Sequence, residues 1–205
     1  MYQVVKIDSQ FPIDKVLEFC NYSKKDTLPG AENLDTDDWE SKTHTLLYLI
    51  YKEKRYDNFG SGYIGLEFNG KLISGAGYYP LDIDKNIVNV NSRYYTIPEH
   101  RSKLFQGNYI LPAIFSEIAD IYKIALFGFN DYNLWLRNLL LRINHGKAAW
   151  LGKKTPIVYK GWLELKDPII IKNTTQYCLY KIFDSNYEKI FLKNITQIQA
   201  VNKIS

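Results

Sequence analysis

Apolar and polar positions alternate along the first part of the chain in a way that predicts strands and helices. Residues Tyr2–Ile7 alternate and form a first predicted strand. Apolar side chains recur at helical spacing over residues 13–22, and a second helical candidate covers residues 39–56. The stretch 24–36 between them is polar and contains Pro29-Gly30, which is typical of a loop.

A hairpin is the clearest local signal in the chain. Asn69-Gly70 lies between two strand-like runs, residues 63–68 and 71–79. A type I′ turn needs positive φ at both central residues, and Asn-Gly accepts this with little strain. A third alternating run over residues 87–97 predicts that the hairpin extends into a three-stranded meander.

The second half of the chain predicts a mixed architecture around one sheet. Its predicted elements are a helix over 107–122, a buried strand over 123–129, a helix over 133–143, and closing strands over 158–165 and 176–183. Residues 187–205 alternate weakly, and the pattern assigns them no element. The order predicts an α/β or α+β domain over residues 1–183, with a C-terminal extension of residues 184–205 that could pack on the same domain.

The composition suits a folded protein with an anionic ligand. The chain has 205 residues, 46% of them apolar, and a net charge of +4. This mild charge suits a phosphorylated cofactor, and it permits a nucleic-acid partner without supporting one. No pair of the three histidines has metal-ligand spacing, so we predict no metal. With no signal-peptide pattern and no apolar run near about 18 residues, we expect a cytoplasmic protein and no membrane partner.

One turn carries the strongest functional signal. The third meander strand ends in Pro98-Glu99-His100-Arg101-Ser102-Lys103, directly before a predicted helix. Backbone N–H groups at a helix N-terminus attract anions, and Arg101 and Lys103 add positive charge there. The turn is therefore either a phosphate site or an ordinary basic loop before a helix.

This turn, together with the element order, resembles the GNAT superfamily of N-acyltransferases. In that family a strand runs into Val-x-Pro-Glu-x-Arg-Gly-Lys-Gly-Ile-Gly and then a helix, and Pro98, Glu99, Arg101 and Lys103 match it. The run from Phe68 to Gly75 is similar to the family's common hairpin. The resemblance implies a mixed α/β fold with a central, mostly antiparallel sheet flanked by helices.

The resemblance also implies a cofactor and a set of residues that bind it. The cofactor would be acyl-CoA, by default acetyl-CoA, and the acceptor would be an amine on a small molecule or a protein. Asn130 stands where the family often has an Asn that contacts the pantetheine arm. The implied cofactor-binding residues are Ile97, Arg101, Ser102, Lys103, Leu104, Gln106, Gly107, Asn108 and Asn130.

Catalysis in this family implies a base and a proton donor. The amine attacks the thioester directly while a base or a water chain removes its proton, backbone N–H groups stabilise the oxyanion, and a tyrosine often protonates the thiolate. Tyr132 is the tyrosine nearest to the expected place, although its spacing from Asn130 differs from the family's. Glu67 is a candidate base, or it simply faces solvent.

A polar strand face is the candidate acceptor site. Asn89, Asn91 and Arg93 alternate on the third meander strand and so share one face, which either lines the acceptor site or is solvated. The backbone of Tyr95 or Thr96 could hold the acyl carbonyl.

Several positions depart from the family's pattern and keep other hypotheses open. Leu104 and Gln106 stand where small residues are usual, Gly107 comes one position late, and Arg137 stands where a tyrosine is common. A catalytically silent GNAT-fold protein for binding or assembly, similar to those of phages, is therefore the alternative to an N-acetyltransferase. An enzyme that acylates a nucleic-acid base is a third hypothesis, and a homodimer is compatible with all three.

Overall fold

A computed structural model describes residues 1–25, 46–81, 84–103, 106–129, 134–145, 160–171 and 174–202. Within these ranges the strands are β1 (Tyr2–Ile7), β2 (Gly62–Phe68), β3 (Lys71–Pro80), β4 (Ile87–Thr96), β5 (Ile124–Phe129), β6 (Trp162–Glu164), β7 (Ile169–Ile171) and β8 (Thr174–Ile182). The α-helices are α1 (Ile13–Lys25), α2 (Leu111–Ile118), α3 (Leu134–Asn144) and α4 (Glu188–Asn202). Shorter 3-10 or π-helical turns cover Tyr48–Lys52, Arg55–Asp57, Pro98–Lys103, Gln106–Ile110 and Ser185–Tyr187.

The strands form one eight-stranded sheet in the order β1-β2-β3-β4-β5-β8-β6, and β7 also pairs with β8. The β4–β5 ladder is parallel, whereas β1–β2, β2–β3, β5–β8, β6–β8 and β7–β8 are antiparallel. The predicted mixed α/β class with a mostly antiparallel sheet is therefore confirmed. The chain divides into two compact units, one of Met1–Tyr79 with Asn91–Ser116 and one of Pro80–Val90 with Glu117–Ser205.

The first unit is built on the predicted hairpin. Asn69 and Gly70 have φ of 52° and 79°, the left-handed values that a type I′ turn requires. Across the β2–β3 ladder, glycines leave room for tyrosine rings. A Cβ on Gly75 would lie 2.5 Å from Tyr63 Cε1, and a Cβ on Gly77 would lie 2.9 Å from Tyr56 Oη. Tyr56 and Tyr63 are consequently buried, with ring centroids 5.5 Å apart.

Helix α1 packs on this hairpin through one apolar face and two lysine contacts. Val16, Phe19 and Cys20 are buried, whereas Leu17, which shares the predicted helical spacing, is exposed. Lys15 Nζ lies 2.7 Å from a Glu67 carboxylate oxygen on β2. Lys71 Nζ lies 3.3 Å from Glu18 and also hydrogen bonds the Tyr22 hydroxyl. These contacts join the helix to both hairpin strands.

The second unit is built around β5 and β8. Six residue pairs, from Ile124↔Ile182 to Phe129↔Tyr177, form this ladder. The parallel ladder to β4 comprises four pairs, from Ile87↔Ile124 to Val90↔Phe127. Helix α4 closes the core of this unit, because Phe191 and Ile195, four residues apart, are 0% and 1% exposed and pack with Tyr180.

Asp84, in the turn that precedes β4, holds the C-terminal segment within the same unit. Its carboxylate accepts hydrogen bonds from Asn194 Nδ2 (3.1 Å), from the Asn86 backbone N–H (3.0 Å) and from the Tyr187 hydroxyl. Burial pushes the pKa of Asp84 up, but the hydrogen bonds from Tyr187, Asn86 and Asn194 outweigh it, so the pKa is lowered.

The structure differs from the sequence pattern at three places. The second helical candidate ends at Lys52 as a π-helical turn, and Lys54 then adopts a left-handed φ of 50°; residues 26–45 lie outside the described ranges. Helix α4 forms where the pattern assigned nothing, and the three-residue strand β7 was missed. No helix within the described part of the chain is long and apolar enough to cross a membrane.

Candidate functional site

The junction after β4 is longer than a tight strand-to-helix turn. Pro98–Lys103 forms a 3-10 helix, Gln106–Ile110 forms a π-helical turn, and α2 follows at Leu111. Proline suits the first position of a helix because it needs no N–H donor there. Ile97 N–H donates to the Ile73 carbonyl (2.9 Å) and His100 N–H to the Ile97 carbonyl (3.0 Å), which fixes the start of the junction on β3.

Gly107, which comes one position later than in the family's pattern, lies in a helical turn. Gly107 and Asn108 lie in the first turn of the helical segment that ends the junction. The side chain of Asn108 is exposed, whereas Ile97 is 2% exposed and belongs to the core. For Ser102, Lys103, Gln106 and Gly107 the structure describes the backbone alone. Leu104, Asn130 and Tyr132 lie outside the described residues, so their predicted roles stay predictions.

Arg101 is held against the end of β4. Its Nε donates to the Thr96 carbonyl (3.0 Å), and its guanidinium carbon lies 5.5 Å from the centroid of the Tyr95 ring. Burial lowers the pKa of Arg101, although an arginine stays a cation at neutral pH and this residue remains exposed. The structure therefore anchors one fixed positive charge at the junction.

Strand β4 has an irregular point at Arg93. The φ of Arg93 is 53°, a left-handed value that is uncommon for a residue with a side chain. The buried Tyr63 hydroxyl donates to the Arg93 carbonyl (3.0 Å) and holds this conformation. The regular alternation that grouped Asn89, Asn91 and Arg93 on one face is thus interrupted at Arg93. Asn89 is half-buried and Arg93 exposed, while the Asn91 side chain lies outside the described atoms.

Tyr95 packs towards α1 rather than standing free on the strand. Its ring meets Phe19 edge-on at 5.4 Å, and burial raises its pKa. Its backbone carbonyl accepts a hydrogen bond from Ser74 Oγ (3.2 Å). The Tyr95 carbonyl is therefore tied to β3, and the role of the Tyr95 or Thr96 backbone in holding the acyl carbonyl stays a prediction.

Glu67, the candidate base, is in an ion pair. Its side chain is 11% exposed, and one carboxylate oxygen lies 2.7 Å from Lys15 Nζ. If this oxygen accepted a proton, it would weaken the ion pair with the Lys15 ammonium group. That ion pair also joins α1 to β2. The structure gives Glu67 a partner, and its catalytic role stays a prediction.

A chain of hydroxyl groups in the first unit was not predicted from the sequence. Tyr94 Oη and Thr96 Oγ1 share a hydrogen bond of 2.8 Å, and Thr96 Oγ1 and Ser74 Oγ share one of 2.7 Å. Ser74 and Thr96 are 0% and 4% exposed, whereas Tyr94 is 38% exposed. The period-two pair Tyr94 and Thr96 was the available signal, since both side chains of such a pair lie on one strand face.

Neither Cys20 nor Cys178 is a reactive nucleophile. Cys20 and Cys178 are both buried, and burial raises the pKa of each to about 12. A thiol with such a pKa is almost entirely protonated at neutral pH and reacts slowly. A covalent cysteine intermediate is therefore not supported.

Comparison with known proteins defines the class of fold. No protein-family model and no curated protein matches the sequence. Among solved structures, the PaiA N-acetyltransferase of Thermoplasma acidophilum in complex with coenzyme A matches with a TM-score of 0.60 at 13% identity, over 89% of this chain and 99% of that one. An acetyltransferase of the GNAT family from Staphylococcus aureus Mu50 matches with a TM-score of 0.53 at 13% identity, over 90% and 100%.

A third match is a SpeG spermidine N-acetyltransferase chimera of the Vibrio cholerae enzyme and hSSAT, with a TM-score of 0.53 at 14% identity over 91% of this chain and 97% of that one. Identities this low show the fold alone. The chain therefore has the fold of the GNAT acetyltransferases, as the strand-to-helix turn and element order had implied.

Proposed function

We propose that this chain is an N-acyltransferase that moves an acyl group, by default acetyl, from acyl-CoA to an amine. The observation that carries the proposal is the junction after β4, because it contains both a fixed cation, Arg101, and a helical turn that includes Gly107 and Asn108. Backbone N–H groups at such a segment and a nearby guanidinium are the groups that hold phosphates. A solved neighbour with this fold contains coenzyme A, which supports the choice of ligand.

The residues of the junction fit an acyl-CoA. The backbone of residues 98–103 and 106–108, with the Arg101 guanidinium, would hold the phosphates. Acyl-CoA supplies an acyl group already activated as a thioester, so the protein need not form a covalent intermediate of its own. The remaining tasks of the chain are to orient the amine, accept its proton and donate hydrogen bonds to the developing negative charge.

One observation favours the alternative of a catalytically silent binding or assembly protein. The candidate base is already paired with Lys15, and the Arg101 guanidinium already contacts the Thr96 carbonyl and the Tyr95 ring. A junction that satisfies its own charged groups could serve packing instead of a ligand. The two hypotheses differ in whether coenzyme A binds at all.

Calorimetric titration with coenzyme A and acetyl-CoA tests the proposal. We expect saturable binding at one site, and we expect Arg101→Ala to weaken it by about 10-fold or more, the size of a lost charge-assisted hydrogen bond. Arg55→Ala is the matched control, because the Arg55 guanidinium carbon also lies 5.5 Å from a tyrosine ring centroid, that of Tyr79. The Arg55→Ala chain should bind coenzyme A as tightly as the unmodified chain.

The acceptor can be identified with an assay that measures the free coenzyme A thiol released from acetyl-CoA. Each candidate amine is tested separately. The panel includes spermidine, because one fold neighbour is a spermidine N-acetyltransferase chimera, together with simple alkylamines and peptides. Absence of coenzyme A binding at millimolar concentration would reject the enzyme and favour the silent protein. Binding without turnover on any amine would leave a cofactor-binding protein.

A further inference from the structure

Four aromatic side chains of the first unit meet beside the junction after β4. The ring centroids of Tyr2 and Phe68 lie 4.7 Å apart, and those of Tyr2 and Tyr109 lie 6.0 Å apart. The ring centroids of Phe68 and His100 lie 5.6 Å apart. Tyr2 begins β1 and Phe68 ends β2, whereas His100 and Tyr109 belong to the junction. These four residues, the aromatic cluster, therefore join the first two strands to the junction.

The aromatic cluster includes one residue from each part of the proposed phosphate-binding segment. His100, in the 3-10 helix, directly precedes the fixed cation Arg101. Tyr109, in the π-helical turn, directly follows Asn108. In an acyl-CoA only a ribose separates the adenine from the diphosphate, whereas the long pantetheine arm separates the diphosphate from the thioester. A ligand whose phosphates lie on the junction can therefore reach the aromatic cluster with its adenine, while its thioester lies far from the phosphates.

Tyr109 gives the aromatic cluster a surface that a ligand can reach. It is 37% exposed, and the Asn108 side chain beside it in sequence is exposed as well. The other three rings are half-buried, and the contacts from Tyr2 to Phe68 and from Phe68 to His100 support the Tyr109 ring from within. A ring that is already held in place loses little freedom when a ligand stacks on it. Nucleobases bind proteins by stacking on such side chains, because every base has an aromatic face.

We infer that the aromatic cluster binds the adenine ring of the acyl-CoA, with the exposed ring of Tyr109 as the stacking surface. The inference rests on the proposed function, because the junction must first hold the phosphates. The chemistry separates adenine from the other parts of the cofactor. The pantetheine arm is an aliphatic chain with amides and has no aromatic face, and phosphates bind cations and N–H groups. Tyr109 is a binding residue here and takes no part in the transfer of the acyl group.

Two substitutions at Tyr109 separate stacking from packing. Tyr109→Phe keeps the aromatic ring, so we expect its Kd for coenzyme A to stay close to that of the unmodified chain. Tyr109→Leu keeps an apolar side chain but removes the aromatic face, and we expect Kd to rise about 5-fold or more, the lower end of what stacking on one base contributes. Tyr48→Leu, at a tyrosine that is 53% exposed outside the aromatic cluster, is the matched control. Calorimetry gives each Kd, and the urea midpoint shows that each variant is folded.

Saturation-transfer difference NMR identifies the part of coenzyme A that Tyr109 contacts. Protons of a bound ligand receive more saturation the closer they lie to the protein, so the adenine protons and the pantetheine methyl protons report on separate parts of the molecule. We expect Tyr109→Leu to lower the adenine signal relative to the methyl signal. Tyr109→Phe and Tyr48→Leu should leave this ratio unchanged.

A higher Kd and a lower adenine signal, both confined to Tyr109→Leu, would support the inference. Equal Kd values in all variants would overturn it, since Tyr109 would then only pack against Tyr2. A higher Kd with an unchanged adenine signal, or an equal loss in Tyr109→Phe, would also overturn it, because the ring would then act on another part of the ligand or through its hydroxyl. If the unmodified chain binds no coenzyme A, the proposed function fails and this inference fails with it.

Discussion

The hydroxyl of Tyr63 is expected to stabilise the irregular point of β4, and a pair of matched substitutions measures by how much. Tyr63 is 0% exposed, and its hydroxyl donates to the carbonyl of Arg93, the residue with φ of 53°. Tyr56 is 1% exposed, and its ring lies 5.5 Å from that of Tyr63. The Tyr56 hydroxyl lies near Ser92, but it makes no hydrogen bond of good geometry with the described residues. The same change, Tyr to Phe, therefore removes a hydrogen bond at one position and only a buried oxygen at the other.

The two costs should differ by more than the error of the measurement. Tyr63→Phe removes the hydroxyl that donates to the Arg93 carbonyl, at a conformation that already costs about 1 to 2 kcal/mol relative to a right-handed one, so we expect a loss of about 1 to 3 kcal/mol. Tyr56→Phe removes a hydroxyl that was desolvated without compensation, so we expect a change within about 0.5 kcal/mol or a small gain. Ring packing is retained in both variants.

Urea unfolding followed by circular dichroism and by tyrosine and tryptophan fluorescence gives both values. With a slope of about 2 to 3 kcal/mol per molar, Tyr63→Phe should lower the midpoint by roughly 0.3 to 1.5 M, and Tyr56→Phe should leave it nearly unchanged. Equal losses in the two variants would show that burial of the hydroxyls, not the bond to Arg93, accounts for the effect. A loss in Tyr56→Phe alone would refute the assignment of the hydrogen bond.

Three further predictions follow from the same structure. Gly75→Ala should destabilise the chain by about 1 to 3 kcal/mol in urea unfolding, because the new Cβ would lie 2.5 Å from Tyr63 Cε1; an unchanged midpoint would mean that the ring has room to move. The pKa of Asp84 is lowered in the folded chain, so its contribution to stability is present above the ordinary value of 3.8 and is lost as the pH falls below it. Asp84→Asn should therefore flatten the acid limb of the thermal stability profile, and an unaltered limb would contradict this. Glu67→Gln and Lys15→Met should both lower the melting temperature modestly, since they break the same ion pair; a fall in kcat of about 100-fold confined to Glu67→Gln would instead support a catalytic base.

The sequence was most informative where a local rule decides the conformation. Asn69-Gly70 predicted the hairpin, because these two residues accept the two positive φ values of a type I′ turn, and the structure has φ of 52° and 79° there. The helical spacing of Val16, Leu17, Phe19 and Cys20 predicted helix α1, and these side chains are buried except for Leu17, which is exposed. Helix α4 was missed because Phe191 and Ile195, the buried apolar residues among its described side chains, do not give a clear helical period in the sequence.

The candidate site was located from the sequence, but its chemistry was not. The motif around Arg101 identified the junction, since proline, charge and position before a helix are local features. The partners of the site residues come from distant parts of the chain: Lys15 meets Glu67 52 positions away, and Tyr63 meets Arg93 30 positions away. Patterns along a single sequence do not predict such long-range contacts.

Local propensity thus determined the hairpin, most elements and the position of the junction, because turn geometry and side-chain period act within a few residues. Tertiary structure alone decided that Glu67 is ion-paired, that β4 is irregular at Arg93 and that a chain of hydroxyls ends at Tyr94. These features depend on which strands become neighbours in the sheet. A hydroxyl, carboxylate or carbonyl acquires its donor, and hence its chemical character, only when folding brings that donor within about 3 Å.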